Sequence, residues 1–137
     1  MTPLCPMHLS ISIAAIPLEP RPTSSHHEGA AGAVVEFAGI VRNTENGRPL
    51  LGLTYESYTP MAIRQISNIS HRLNDQYPII SIDFHHRIGF VHYGEASLFI
   101  RVRSERRINA LRFTEHFIDL LKQEVPIWKH PVFKTDR

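Results

Sequence analysis

The chain has 137 residues, of which 42% are hydrophobic, and it carries 15 Lys and Arg against 13 Asp and Glu. A chain of this length buries roughly two-thirds of its unfolded surface, which predicts one compact domain over residues 1–137 and argues against extensive disorder. Because Cys5 is the single cysteine, an internal disulfide is excluded, and a reducing compartment, by default the cytoplasm, is expected.

Charge is unevenly distributed along the chain. Residues 1–100 carry 6 basic and 8 acidic side chains, whereas residues 101–137 carry 9 basic and 5 acidic ones. An anionic ligand is therefore expected near the C-terminal third. The apolar stretch at residues 11–18 is far shorter than the ~20 residues that a membrane-spanning helix needs, so no membrane segment is predicted.

The N-terminal part combines one strand with a loose connection. Residues 9–13 alternate between apolar and polar side chains, which predicts a short strand, and a Pro- and Ser-rich stretch follows it. We interpret residues 1–31 as a variable segment in which Cys5 is an ordinary exposed thiol.

A second strand begins near Ala33 and ends at Arg42. Apolar residues on both of its faces predict burial on both sides. The Asn46-Gly47 pair then favours a tight turn, and alternation resumes after it. Residues 33–58 are therefore predicted to form two paired strands joined by a loop.

A first helix is predicted after this strand pair. Thr59 is the expected N-cap, Pro60 occupies the first helical position, and Pro78 ends the helix. Helical spacing predicts an apolar stripe formed by Ala62, Ile66, Ile69, Leu73 and Tyr77.

Two further strands are predicted over residues 79–87 and 95–103. Apolar residues of the second strand alternate with Phe99, Arg101 and Arg103, so one face should join the core while the other presents guanidinium groups. A small RNA-binding domain that uses this arginine face is one functional alternative, although paired aromatic residues are missing from the strand.

A second helix is predicted from about Arg107 to Glu124, with an extended tail after Pro126. Its apolar arc is expected to contain Leu111, Phe117, Ile118, Leu121 and Val125. The order of strands and helices predicts an α+β fold with a mostly antiparallel sheet and two main helices.

Two lysines flank the end of the second helix. Lys122 lies at the border of the apolar arc, where partial desolvation would favour a neutral amine that acts as acid, base or nucleophile, and Lys129 follows just past the helix end. The alternative is that Lys122 extends into water and balances the helix C-terminus, and spacing alone favours this alternative.

Three arginines are candidates for anion binding. Arg42 follows a strand beside the Asn-Gly loop, where a guanidinium can face a phosphate or carboxylate. Arg106 and Arg107 lie at the start of the second helix, whose free N–H groups also favour an anion. Surface arginines are common, however, and these positions alone do not establish a phosphate pocket.

Other chemistry has no support in the sequence. The chain has 9 His residues, but they show no metal-ligand spacing, so we predict no metal site. Serine-hydrolase, NTPase and dinucleotide-binding motifs are also absent, and no cofactor is predicted.

Four segments carry a family pattern: FAGIVRN at 37–43, LTYESYTPMA at 53–62, HRIGFVHYGEASL at 86–98 and LKQEVPIWK at 121–129. Together and in this order they resemble the large, catalytic subunit of molybdopterin synthase. The resemblance implies an α/β-hammerhead fold and a sulfurtransferase of molybdenum cofactor biosynthesis. It also implies a homodimer within a heterotetramer, in which a small ubiquitin-like subunit with a C-terminal Gly-Gly thiocarboxylate delivers sulfur to cyclic pyranopterin monophosphate.

The resemblance also implies roles for individual residues. The catalytic lysines of the family match Lys122 and Lys129, and its substrate-binding arginine matches Arg42, with Phe37 beside it. A family His-Arg pair at the helix start falls on Arg106 and Arg107.

For the partner's tail, we interpret Trp128 and Pro126 as the wall of a groove. Trp128 can equally be a hydrophobic anchor for the C-terminal strand.

The sequence departs from the family pattern at several positions. Arg106 stands where the family usually has histidine, and Pro131 stands where it usually has an acidic residue after the second lysine. Relatives also continue past the position of Arg137. A divergent relative that only binds a ubiquitin-like partner, without sulfur transfer, is therefore the alternative function.

Overall fold

The computed structural model describes residues 7–18 and 29–135. The prediction for Cys5 and most of the predicted loose connection lie outside these ranges. In chain order the elements are β1 (His8–Ala14), β2 (Ala33–Ile40), β3 (Thr44–Glu45), β4 (Arg48–Ser57), α1 (Thr59–Gln76), β5 (Ser81–Arg87), β6 (Gly89–His92), β7 (Ala96–Ser104), α2 (Arg107–Glu124) and β8 (Ile127–Phe133). Of the two helices described, neither is long and apolar enough to cross a membrane.

The strands form two sheets. In the first, the order is β1-β5-β7-β2, with a parallel pairing between β1 and β5 and antiparallel pairings elsewhere. In the second, β4 lies between neighbours, since β3, β6 and β8 all pair with it in antiparallel orientation. The predicted α+β class with mostly antiparallel strands is confirmed.

The main core lies between the first sheet and the two helices. Phe117 packs against Phe84 and Phe113 with ring centroids 5.9 Å apart in both pairs, and all three side chains are fully buried. The predicted stripe of α1 is confirmed. Tyr77 packs against the core, and the four aliphatic members of the stripe are buried: Ala62, Ile66, Ile69 and Leu73.

The second helix has the predicted bounds but a different inward face. Leu111 was expected in the core, yet it is 52% exposed, while Ala110, Phe113 and Thr114 are buried. The helix is rotated so that residues 110, 113, 117 and 121 point inward, which gives a narrower stripe at helical spacing than the broad arc predicted.

The predicted pairing of two strands within residues 33–58 is wrong. β2 pairs with β7, and the partner of β4 across the Asn46-Gly47 turn is the two-residue β3. The turn itself is confirmed, with φ of 51° at Asn46 and 77° at Gly47, as a tight hairpin turn requires. Alternation identifies strands, but it does not encode which strand each of them pairs with.

Burial of β2 on both faces is also wrong. β2 is an outer strand of its sheet, and its residues alternate between half-buried and exposed. Val34 and Ile40 lie on the exposed face, whereas Val35 and Phe37 pack against the core.

Arg101 and Arg103 do not form an exposed cationic face. They are 5% and 6% exposed, respectively. Arg101 pairs with Glu36 at 2.9 Å, and Arg103 pairs with Asp83 at 3.2 Å, both across neighbouring strands. Buried charges require partners, and here cross-strand carboxylates pair with both guanidinium groups. These guanidinium groups are therefore not available to bind RNA.

Two smaller predictions need correction. Tyr58 rather than Thr59 is the N-cap of α1, and the Thr59 hydroxyl lies 3.3 Å from Ser57 Oγ. Between the predicted strands 79–87 and 95–103 lies a further strand that was not predicted, β6, which pairs with β4.

Gly52 allows the close approach of β4 and β6, and we predict that Gly52→Ala destabilises the chain. A methyl group there would overlap the Val91 carbonyl oxygen and the Phe90 ring. Overpacking of this kind is expected to lower the free energy of unfolding by about 2 to 3 kcal/mol, measured by urea titration.

The control is Gly47→Ala, where the site is open and only the positive φ is strained, with an expected loss of about 1 kcal/mol. Equal stability of wild-type and Gly52→Ala chains would contradict the close packing of β4 on β6.

Candidate functional site

A cavity of about 520 Å³ lies where the two sheets meet the C-terminal end of α2. Its apolar wall comes from the end of α2 and from the strands, and includes Phe37, Leu53, Tyr55, Ile118 and Leu121. Its polar wall contains Arg42, Glu45, His86, Lys122 and Lys129. Segments that are distant in sequence therefore converge on one concave surface, as ligand sites commonly do.

Three of the predicted site residues contribute cations to this cavity. Arg42 follows β2, Lys122 lies in the last turn of α2, and Lys129 lies on β8. Lys129 Nζ is 3.7 Å from Glu45 Oε1. Over residues 7–18 and 29–135, the side chains of Arg42 and Lys122 form no ion pair or hydrogen bond, so both are available to an anionic ligand.

The partial desolvation considered for Lys122 is not observed; its side chain is exposed, in agreement with the alternative that spacing alone favours. Both Lys122 and Lys129 are exposed. Ile118 and Leu121, in the preceding turn, form the apolar wall, and the Lys122 side chain lies at the open margin of the cavity. Desolvation of its amine therefore requires a ligand that covers this margin.

Arg106 and Arg107 are not part of the cavity within one chain. Both are exposed at the start of α2, whereas Lys122 lies at its end. At 1.5 Å per residue, about 22 Å of helix separates Arg107 from Lys122. A phosphate pocket that combines these arginines with Arg42, which the sequence alone did not establish, is therefore not formed by a single chain.

The remaining predicted residues divide between the cavity and its surroundings. Phe37 lines the cavity as expected. Alternation along β8 places Ile127 and Lys129 in the cavity wall, while Trp128 is 53% exposed and does not line it. Pro126 is not a lining residue either; its carbonyl accepts a hydrogen bond from the Tyr58 N–H at 3.1 Å.

His86 is a cavity residue that the sequence analysis did not single out. It is 6% exposed, and its ring makes an edge contact with Tyr55 at a centroid distance of 4.9 Å. The Nδ1 atom lies 2.8 Å from the Arg87 carbonyl oxygen, so Nδ1–H donates and Nε2 is left as an acceptor. Burial lowers the pKa of His86, and the hydrogen bond to Arg87 only partly opposes this effect.

Glu45 is the second residue that was missed. Its strand, β3, contains only two residues, which is too short to show an alternating pattern. The sequence therefore placed Glu45 in the loop around the Asn46-Gly47 turn. In the described part of the chain, no group of three or more His, Cys, Asp or Glu side chains is arranged to hold a metal ion. The site therefore combines cations, one carboxylate and one neutral imidazole.

The model of the MoaE protein family matches residues 13–124. The chain belongs to the MoaE family. The molybdopterin synthase catalytic subunit of Homo sapiens is 37% identical over 103 residues, a match that covers 75% of this chain and 55% of the human protein. The chain spans about half the length of the mammalian MoaE relatives that it matches.

Solved structures share this fold. The crystal structure of molybdopterin synthase from Staphylococcus aureus superimposes with a TM-score of 0.80 and 32% identity, covering 91% of this chain and 92% of that chain. A complex of subunits 1 and 2 of molybdopterin-converting factor from Helicobacter pylori 26695 gives a TM-score of 0.69 at 24% identity, covering 94% and 87%, which shows the shared fold. The cavity described above therefore lies within a MoaE fold.

We predict that His86 makes this MoaE chain sensitive to acid. Because burial lowers the pKa of His86 below its ordinary value of 6.5, the unfolded chain takes up this proton before the folded chain does. The contribution of His86 to the free energy of unfolding is therefore constant well above that value and falls as the pH decreases through it. His86→Gln should weaken this loss, as measured by urea unfolding at about pH 7.5 and about pH 5.5.

His71→Gln, on the exposed side of α1, is the matched control. A loss of stability on acidification that is the same in the wild type and in both variants would show that His86 is not responsible.

Proposed function

We propose that this chain is the catalytic subunit of a molybdopterin synthase. It would transfer sulfur from the thiocarboxylated C-terminus of a small ubiquitin-like subunit to cyclic pyranopterin monophosphate, forming the dithiolene. The observation that carries this proposal is the convergence of Arg42, Lys122 and Lys129 on one cavity in a MoaE chain.

Both reactants of this transfer are anionic. The thiocarboxylate carries charge on sulfur and oxygen, and the pterin carries a phosphate. Arg42 and Lys122 have no counterion within the described residues, so they offer fixed positive charge to both groups.

Lys122 is our candidate for chemistry at the terminal acyl carbon of the tail. Its amine lies at the open margin of the cavity, where a peptide tail enters, and the entering tail would displace water from it. Lys129 and Arg42 then hold the phosphate and the developing charge. In this arrangement the amine exchanges protons with the reacting groups, and the other two cations stabilise the anionic transition state.

The small subunit reaches the site as a separate protein. The Helicobacter pylori complex of two converting-factor subunits supports a partner of this kind. The chain alone should therefore produce no dithiolene.

A second copy of the chain would complete the site. Arg106 and Arg107 are exposed and lie about 22 Å of helix away from Lys122, so they reach a cavity only if it belongs to another protomer. We therefore propose a homodimer in which the helix start of one protomer faces the cavity of its partner, within a heterotetramer that includes two small subunits.

The alternative, a relative that binds the small subunit without transferring sulfur, depends on Arg106 and Pro131. Neither position removes a cation from the cavity. The enzymatic function is therefore favoured.

Lys122→Ala is expected to reduce dithiolene formation by about 100-fold or more, the usual contribution of a proton-transferring group. The measurement is product formation with thiocarboxylated small subunit and pterin substrate. Lys134→Ala is the control, since Lys134 is exposed after β8 and lies outside the cavity. Near-normal turnover of Lys122→Ala would remove this residue from the mechanism.

Mixing Lys122→Ala with Arg107→Ala chains tests the shared site. Each mixed dimer keeps one cavity with both residues intact, so activity should return to about a quarter of the wild-type value after random exchange. Each variant alone should be nearly inactive. Failure of the mixture to regain activity, with mixed dimers shown by native mass spectrometry, would contradict a site built from two protomers.

A further inference from the structure

One carboxylate stands among the cations of the cavity. Among the residues that the structure describes, Glu45 is the single acidic one that lines the cavity, and it belongs to β3, directly before the Asn46-Gly47 turn. A negative charge in a site for anions weakens their binding unless it has a task of its own. The carboxylate of Glu45 therefore needs a partner on the bound ligand.

Lys129 does not satisfy this carboxylate. The distance of 3.7 Å between Lys129 Nζ and Glu45 Oε1 is an ion pair but too long for a good hydrogen bond. The Oε2 atom is buried and has no hydrogen-bond partner in the described part of the chain. Buried carboxylate oxygens are normally hydrogen-bonded, so this carboxylate lacks a donor.

The walls next to Glu45 suit a flat heterocycle. Phe37 and Tyr55 line the same cavity and offer aromatic surface. The cavity volume of about 520 Å³ lies within the range typical of small-molecule sites. A ligand with an anionic group for the cations, a flat ring for the aromatic wall and paired donors would suit the cations, the aromatic wall and the carboxylate together.

We propose that Glu45 is a specificity-determining residue that binds the pyrimidine edge of the pterin. This edge carries a ring N–H and an exocyclic amino group, which are parallel donors for the two oxygens of a carboxylate. Rotation about the last side-chain bond of Glu45, a broad and soft torsion, turns the oxygens toward such donors. The inference rests on the proposed function, because that function supplies the pterin.

The test uses the full chain and two ligands that differ at this edge. One is an aminopteridinone monophosphate, and the other is its counterpart with a carbonyl oxygen in place of the amino group. The wild-type chain should bind the first roughly 10-fold to 100-fold more tightly by calorimetry, since the second places an acceptor against the carboxylate.

Glu45→Gln should remove most of this preference, because the amide presents one donor and one acceptor. Glu56→Gln is the matched control; Glu56 is exposed on β4, pairs with His130 at 3.1 Å and lies outside the cavity, so the preference should remain.

Several outcomes would overturn the inference. If Glu45 only holds Lys129 in place, Glu45→Gln weakens both ligands equally and the preference is unchanged. If the wild-type chain binds both ligands equally, Glu45 does not bind this edge, while the proposed function stands. If it binds neither ligand, the proposed function fails as well.

Discussion

The pairing of β8 with β4 is the interaction on which the cavity depends. After α2 ends, the chain turns at Val125 and Pro126 and runs antiparallel to β4, with Lys129 opposite Tyr55. This register brings Lys129 back to the wall that the last turn of α2 also lines. Without it, the two lysines that flank the helix end would project from unrelated surfaces.

Arginine residues occupy two different environments in this fold. Arg101 and Arg103 are buried on the first sheet, and cross-strand carboxylates neutralise them. Arg42 lines the cavity and pairs with no carboxylate of the described chain. Composition and alternation do not distinguish these three arginines. Their neighbours in the fold determine which arginine forms an ion pair within the sheet and which is available to a ligand.

Local signals predicted the elements better than their partners. Pro126 and the helical spacing before it gave the bounds of α2, and Asn46-Gly47 gave the turn, because both effects act within a few residues. The pairing of β2 with β7 joins residues that are some 60 positions apart, which periodicity does not encode.

The candidate site was predicted only in part, because local sequence signals do not show which distant residues meet in the fold. Arg42, Lys122 and Lys129 were found through the family pattern, whereas Glu45 and His86 carry no local signal that marks them as cavity residues. The separation of Arg107 from Lys122, by contrast, follows from the length of α2 alone.

Pro131 has a consequence for how this molecule behaves at high concentration. It lies within β8, opposite Leu53, and β8 pairs with β4 alone among the described strands, so its other side is open. A proline fits a sheet where its missing N–H faces such an open side. A neighbouring molecule that attempts to extend the sheet there finds one donor absent, which discourages edge-to-edge aggregation.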